Sequence, residues 1–362
     1  MSTTLEWLWL SHVLGPGAAG CGDIMAAFGE PDALLAAVGK EDLSPFLSPA
    51  QLARCEESPE AFMPLLQTCE QQNIQVLTME DVAYPQRLLS IDDAPPVLFA
   101  TGNPEVLNQA STVGMIGSRR PSEYGVQAAA VIGGRLAKEG VCIVSGLADG
   151  LDGECHRAAV DNGGLTVGVL GTAIDKTYPA GNVRLRRQIE QEGAVLSEFA
   201  PGERTARPSF LLRNRLIAAL SDALCVVEAR QKSGTMNTVH HAQRYKKAIF
   251  AVPGTIFSSL CAGTNELLET GTAMAAAGAG PILRCLGLDA ENAQTPKHDT
   301  VSKAQLSPAA KAVWQVLSTK AQNLEQLANA ANIGTAEILA ALLELEISGL
   351  VQSQAGGLYR RK

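Results

Sequence analysis

Between residue 74 and about residue 252 the chain alternates short, nearly unbroken apolar runs with longer segments whose apolar positions recur at helical spacing. The runs cover residues 113–116, 141–144, 166–170, 194–196, 223–227 and 248–252, with 74–78 and 97–99 as candidate edge strands. Leu224-Cys225-Val226-Val227 and Ile249-Phe250-Ala251-Val252 show no polar alternation, the pattern of strands buried on both faces. Strands of this kind, each followed by a helical stretch, predict βαβ units around a parallel, doubly wound sheet.

The flanks follow a different rhythm. Residues 1 to about 70 read as short helices: 5–14 is apolar, 24–28 follows a glycine-rich turn, and 31–38 and 49–55 each open on a proline. Proline suits the first helical position because its missing N–H would be unpaired there anyway. The Gly15-Pro16-Gly17 turn is compatible with a helix-hairpin-helix, whose amides hold a DNA phosphate, but an ordinary interhelical turn is the simpler reading. After 264–270 comes an Ala/Gly stretch, and in 288–305 Asn, Gln, Thr, Lys, His and Asp replace the apolar rhythm, as in a linker. From Leu306, Ser307-Pro308 opens a helix to 317, Asn323 caps a second to 330, and Thr335 caps a third through Ser348, ended by Gly349. Residues 351–361 read as a β-hairpin turning at Ala355-Gly356-Gly357, and three helices followed by a hairpin resemble a winged helix. The expected division is 1–72 helical (SAM or helix-hairpin-helix-like), 73–286 sheet core, 287–305 linker and 306–362 winged-helix-like.

A length of 362 residues agrees with two or three domains, and 46% hydrophobic against 18% charged residues describes a folded rather than a disordered chain. No run approaches the roughly 18 apolar residues of a membrane span. The start, Met1-Ser2-Thr3-Thr4, lacks the basic region of a signal peptide, so a cytoplasmic protein is expected. The cysteines at 21, 55, 69, 142, 155, 225, 261 and 285 form no Cys-x-x-Cys pair, and the expectation is buried thiols and no metal. A net charge of -8 disfavours wholesale coating by nucleic acid, so any DNA contact needs a local patch. Arg184, Arg186, Arg187, Arg204, Arg207, Arg213 and Arg215 could supply one, followed by Arg230, Lys232, Arg244, Lys246 and Lys247, although on charge alone solvated helix faces are the favoured reading.

Candidate chemistry sits after the strands, where an open parallel sheet collects ligands and helix amino termini offer free amides to anions. The loops are Gly117-Ser118-Arg119-Arg120, Ser145-Gly146 through Asp152, Gly171 through Lys176, Ser197-Glu198, and Glu228 through Ser233-Gly234-Thr235. Their convergence on one sheet edge favours an anion site. Ser118 and nearby amides could hold one phosphate and Arg119 another; the alternative for Arg119 is a salt bridge to Asp149 or Asp152. Arg207-Pro208-Ser209-Phe210 places a cation beside an aromatic at a helix entry, as in base stacking, with a core role for Phe210 equally open because Leu211 and Leu212 could already staple the helix. Asp149, Asp152 and His156 also permit an acid-base or metal reading, but Asp152 suits a helix cap and His156 an inner helix face. His240-His241 read as a helix surface, and Ser233-Gly234-Thr235 lacks the rest of an ATP phosphate loop.

The order Tyr84-Pro85, Pro95-Pro96-Val97-Leu98-Phe99, Gly117-Ser118-Arg119, Ser145-Gly146-Leu147-Ala148, Gly150-Leu151-Asp152, His156, Tyr178-Pro179, Ser197-Glu198, Arg213-Asn214-Arg215, Val227-Glu228-Ala229, Ser233-Gly234-Thr235 and Val252-Pro253-Gly254 resembles the DprA/Smf (DNA-processing protein A) pattern. The resemblance implies an α/β protein with an extended Rossmann-like parallel sheet core, an N-terminal helical domain and a C-terminal winged-helix domain. It further implies a cofactor-free, non-enzymatic, homodimeric recombination mediator that binds and protects incoming single-stranded DNA and helps load RecA in natural transformation. The positions it assigns to DNA are Ser118, Arg119, Arg207 and Phe210, with Arg213 and Asn214 nearby. Together with the anion-binding loops, the expected interface comprises Gly117, Ser118, Arg119, Gly146, Lys176, Arg207, Phe210, Arg213, Asn214, Ser233, Gly234 and Thr235. Two departures stand out: Leu211 occupies the usual proline of Phe-Pro-x-Arg-Asn, and Met236-Asn237-Thr238-Val239 replaces Leu-Ile-Thr-Ala.

The main rival is a Rossmann-like enzyme on a nucleotide or nucleoside phosphate, similar to the cytokinin-activating phosphoribohydrolases, yet their Pro-Gly-Gly-x-Gly-Thr-x-x-Glu motif is absent. A dinucleotide-dependent enzyme would need Gly-x-Gly-x-x-Gly after the first strand, and this too is missing. In the tail, the third helix carries Glu337, Glu344 and Glu346 and no Lys or Arg, which predicts a protein-contact or structural role, with Arg360, Arg361 and Lys362 giving at most a weak phosphate contact.

Overall fold

The apolar runs become strands whose bounds lie within three residues of the expected ones. In the computed structural model, which describes residues 2–204, 206–288, 306–318, 322–347, 350–354 and 358–361, the main sheet holds nine strands. These are β1 (Gln75–Thr78), β2 (Val97–Gly102), β3 (Thr112–Gly117), β4 (Cys142–Ser145), β5 (Thr166–Leu170), β6 (Ala194–Ser197), β7 (Ala223–Glu228), β8 (Ala248–Ala251) and β9 (Met274–Ala275). Their order is β1-β2-β6-β5-β4-β3-β7-β8-β9. From β6 to β9 all neighbours are parallel, while β2 runs antiparallel to β6 and β1 antiparallel to β2. The chain steps outward from β3 to β6 and then returns to the other side of β3 with β7, so the loops after β3 and β7 diverge and open a crevice at the switch point.

Alternation along a buried strand feeds two cores. On β7, Leu224 and Val226 pack with Leu216, Ile217 and Val239, from the helices Arg207–Ala219 and Gly234–Arg244. Ala223, Cys225 and Val227 face the other way, onto Ile132, Leu136 and Cys155 of Glu123–Lys138 and Leu151–Val160.

The amino-terminal helices Thr4–Leu14, Cys21–Phe28, Pro31–Ala37 and Pro49–Arg54 share a core with the sheet. Trp7, Trp9, Ile24 and Leu34 cluster with Phe99, Val195 and Ile189, and residues from Met1 to Ala290 form one compact unit. The Gly17 amide, which a helix-hairpin-helix would offer to phosphate, donates to Glu198 Oε1 at 2.9 Å. Glu198 in turn accepts twice from the buried Arg215 at 2.6 Å, so the turn is a protein joint.

Glu291–Lys362 clusters as a second compact unit. Its described helices are Pro308–Val316, Leu324–Ala331 and Thr335–Ile347, and β10 (Gln322–Asn323), β11 (Val351–Gln354) and β12 (Leu358–Arg361) form an antiparallel sheet ordered β10-β12-β11, a winged-helix arrangement. Ser307 Oγ accepts from Ala310 N (3.1 Å) and Asn323 Oδ1 from Gln326 N (2.8 Å), so both residues cap their helices. The short β10 had no sequence signal. The expected hairpin turn at Ala355-Gly356-Gly357, the helix end at Ser348-Gly349, Lys362 and linker positions 289–305 lie outside the described residues.

Candidate nucleic-acid interface

The crevice between the ends of β3 and β7 is a cleft of about 440 Å³, lined among others by Gly117, Ser118, Arg119, Asp152, Phe210, Arg213, Asn214, Arg230, Ser233, Gly234 and Thr235. Two backbone hydrogen bonds, a close approach at Gly150 and one buried carboxylate build its floor. Ser118 N donates to Glu228 O (2.8 Å) and Leu151 N to Ser118 O (3.0 Å), which ties the loops after β3, β4 and β7 together. Gly150, at φ +75°, lies so close to the Ser118 and Arg119 main chain that a Cβ would come within 2.6 Å of Arg119 C. Glu228, 1% exposed, accepts from Ser122 N (2.9 Å) and Ser122 Oγ (2.6 Å), anchoring the far end of the Arg119 loop.

On that floor the arginines divide by burial. Arg119 is exposed, makes no ion pair among the described residues, and holds its guanidinium 5.7 Å from the Phe210 ring centroid. The salt bridges to Asp149 or Asp152 considered from sequence are not formed. Arg230 is likewise exposed at the rim. Arg213, only 4% exposed, donates to Gly146 O at 2.7 Å and also to Val169 O, bolting the loop after β4 to β5. Burial pulls its pKa down to about 10, against the opposing pull of Asp152, so it stays cationic at neutral pH. Asp152 is pushed up by burial and held down in part by Arg213 and by the Ala148 and Gly146 amides. It lies in the first turn of Leu151–Val160 with Gly150 at the cap, so the expected capping role belongs to its neighbour.

Phe210 is half-buried over Gly171, where a Cβ would lie 2.8 Å from its Cδ1, and its ring meets Tyr178 at 5.4 Å. Leu212 packs against Gly17 and Leu211 is 49% exposed. Asn214 reaches Asn237 Oδ1 (3.2 Å) and Thr235 Oγ1 donates to Gly117 O (3.2 Å), joining the two rims. Ser118 Oγ donates to Arg120 O (3.0 Å) and accepts from Arg120 N (3.1 Å), so it shapes the turn that presents Arg119. Ser233 Oγ is buried without a partner among the described residues.

Three of the expected interface residues do not line the cleft. Gly146 sits behind it under Arg213, Lys176 is on an outer loop 3.1 Å from Asp175, and Arg207 is exposed at the first position of its helix. The arginine-rich stretch is not one surface: Arg186 and Arg215 are buried like Arg213, whereas Arg184, Arg187, Arg204 and Arg207 are exposed. His156 is fully buried with Nδ1 2.7 Å from Thr166 Oγ1, and burial lowers its pKa to about 3. It is a neutral core group. Among the described residues no cluster of His, Cys, Asp and Glu could hold a metal ion, and no helix is long and apolar enough to cross a membrane. Sequence reasoning assigned no role to Tyr178 and none to Glu228 as a loop anchor; Tyr178-Pro179 stood in the motif pattern, which was the available signal.

Residues 75–287 match the family described as DNA recombination-mediator protein A, and 297–357 match the DprA winged helix domain. Protein Smf of Synechocystis is 33% identical over 328 residues, 82% of each chain. DNA processing protein DprA of Streptococcus pneumoniae is 39% identical over 198 residues, 55% of this chain and 70% of the relative. Among solved structures, DNA processing protein A from S. pneumoniae superposes with a TM-score of 0.67 at 32% identity, covering 78% of this chain and 98% of that one. A Helicobacter pylori structure, described as giving insight into that DNA processing protein A's single-stranded DNA binding mode, superposes with a TM-score of 0.53 at 34% identity, covering 59% and 95%.

Proposed function

The chain belongs to the DNA recombination-mediator protein A (DprA/Smf) family, and from that premise we propose that it is a single-stranded-DNA-binding mediator whose switch-point cleft takes the DNA. The observation that carries the reading is the pairing of an exposed, unpaired guanidinium, Arg119, with the half-buried ring of Phe210 at 5.7 Å, on loops held by Glu228 and Arg213. A cation for phosphate beside a ring for a base is the minimal unit of sequence-tolerant single-strand binding. Fixed loops limit the entropic cost of binding. The Helicobacter pylori relative, whose structure concerns single-stranded DNA, supports the same polymer here.

In this role the protein holds incoming single strands, protects them and helps deliver them to RecA during natural transformation, acting as a homodimer in the cytoplasm and turning over no substrate. Its nearest acid-base candidates suit a scaffold: the charge of Asp152 helps keep the buried Arg213 cationic, and His156 is neutral in the core. The test is the affinity of wild type, Arg119→Ala, Arg207→Ala and Phe210→Ala for labelled poly-dT across a salt series. Loss of either arginine should weaken binding and flatten the salt slope by about one unit for each phosphate no longer neutralised. Loss of Phe210 should cost about 1–3 kcal/mol at an unchanged slope. A wild type that fails to bind, or variants that all bind like it, would overturn the assignment and return nucleoside phosphates to consideration.

A further inference from the structure

We propose that Tyr178 is a second base-stacking platform, so that the site grips two successive bases, one on Phe210 inside the cleft and one on Tyr178 outside it. The proposal rests on the reading of the cleft as a single-stranded-DNA site and extends it to a residue that does not line the cleft. Tyr178 is 55% exposed, a large aromatic surface left in water beside the cleft, and its ring packs on Phe210 at 5.4 Å with a 50° tilt. At that separation no base fits between the rings, so a second base takes the solvent-exposed surface of Tyr178. Arg119 also approaches Phe210, with its guanidinium 5.7 Å from the ring centroid, so a cation and a second ring both adjoin the inner aromatic.

The outer ring is also held firmly in place. The buried Arg186 donates to Ile174 O (2.7 Å), Lys176 O (3.0 Å) and Thr177 Oγ1 (3.4 Å), which fixes the loop just before Tyr178. An exposed aromatic on a bolted loop gives up little entropy when a base lands on it. Lys176 on the same loop is paired with Asp175 at 3.1 Å, so the contact expected of Tyr178 is stacking rather than charge.

The experiment measures poly-dT affinity for full-length Tyr178→Ala, Tyr178→Leu, Tyr178→Phe and Tyr178→Trp, with a thermal melt of each to verify folding. Tyr178→Ala and Tyr178→Leu should each weaken binding by about 5- to 140-fold, the equivalent of about 1–3 kcal/mol for one stacked base, without changing the salt slope. Tyr178→Phe should bind like wild type, and the emission of Tyr178→Trp should quench on adding the oligonucleotide. If Tyr178→Leu binds like wild type, the residue merely covers Phe210 and the platform is refuted. Wild-type-like binding by Tyr178→Ala, with Arg119→Ala impaired, refutes the platform but leaves the cleft standing. A wild type with no affinity for poly-dT removes both.

Discussion

Arg119 and Arg213 share a side chain and a cleft but differ in what surrounds them. Arg119 is exposed and unpaired among the described residues, while Arg213 is buried against the Gly146 and Val169 carbonyls and the Asp152 carboxylate. Arg213→Ala should therefore act through stability, costing about 3–5 kcal/mol because it strands a buried carboxylate. Arg119→Ala should change stability by no more than about 0.5 kcal/mol. Chemical denaturation of both variants checks this, and an unchanged midpoint for Arg213→Ala would show that Asp152 needs no partner. His156 supplies a pH dependence. Its folded pKa of about 3 lies below the ordinary 6.5, so below pH 6.5 the unfolded chain binds the extra proton and stability falls with falling pH. Between pH 6.5 and 5 the loss from this group is about 2 kcal/mol. Asp152 and Glu198, both raised, work in the opposite sense, gaining stability as pH falls through their folded pKa, so the His156 share is read as the difference in slope between wild type and His156→Asn. Equal slopes would remove the group from the account. The inner-face position of His156 was legible in sequence, whereas the split between the arginines was not: Arg213 stands in one basic string with the exposed Arg207, and only the approach of the β4 and β5 loops buries one and not the other.

At the scale of elements, the joint between the amino-terminal helices and the sheet depends on a buried ion pair. Glu198 and Arg215 are 5% and 1% exposed at the side chain, and Arg215 Nε and Nη1 have no partner among the described residues. Such a pair adds little to stability when whole but is expensive to break. Arg215→Met should cost about 3–5 kcal/mol, whereas the double variant Glu198→Leu, Arg215→Met should recover much of that loss. Hydrogen exchange in Thr4–Leu14 gives a local readout, because the same carboxylate accepts from Gly17 at 2.9 Å. If the double variant is no better than the single, the carboxylate's bond to Gly17 matters more than its charge. The strands themselves were legible, since a strand buried on both faces writes itself as an apolar run. The antiparallel placement of β2 beside β6 and the two-residue β9 were not, because each depends on a neighbour distant in sequence.

Over the whole molecule, a net charge of -8 means that DNA is attracted only where cations are locally free, and the free ones at the cleft are Arg119 and Arg230. Among the described residues of the winged-helix unit the cations are Lys311, Arg360 and Arg361, none of them on its third helix. Its third helix, Thr335–Ile347, has Glu337, Glu344 and Glu346 and no cation, Glu344 is engaged by Ser307 N (2.8 Å) and Oγ (2.6 Å), and Leu339 and Leu343 are 48% and 58% exposed. In the wing, Arg361 lies 3.8 Å from the Trp314 ring centroid and Arg360 bonds to Gln352. A winged helix reads duplex DNA by sending a recognition helix into a groove lined with phosphates, and an acidic helix with apolar exposure is repelled there. Residues 306–362, which carry their own apolar cluster around Val313, Leu327 and Leu342, should accordingly show no tight duplex binding at physiological salt. A chain ending at residue 288 should keep the poly-dT affinity of the full protein and its salt slope. Tight duplex binding by 306–362 would overturn the charge argument. A loss of poly-dT affinity on truncation would mean that the second unit contributes to holding the strand by a route other than its third helix.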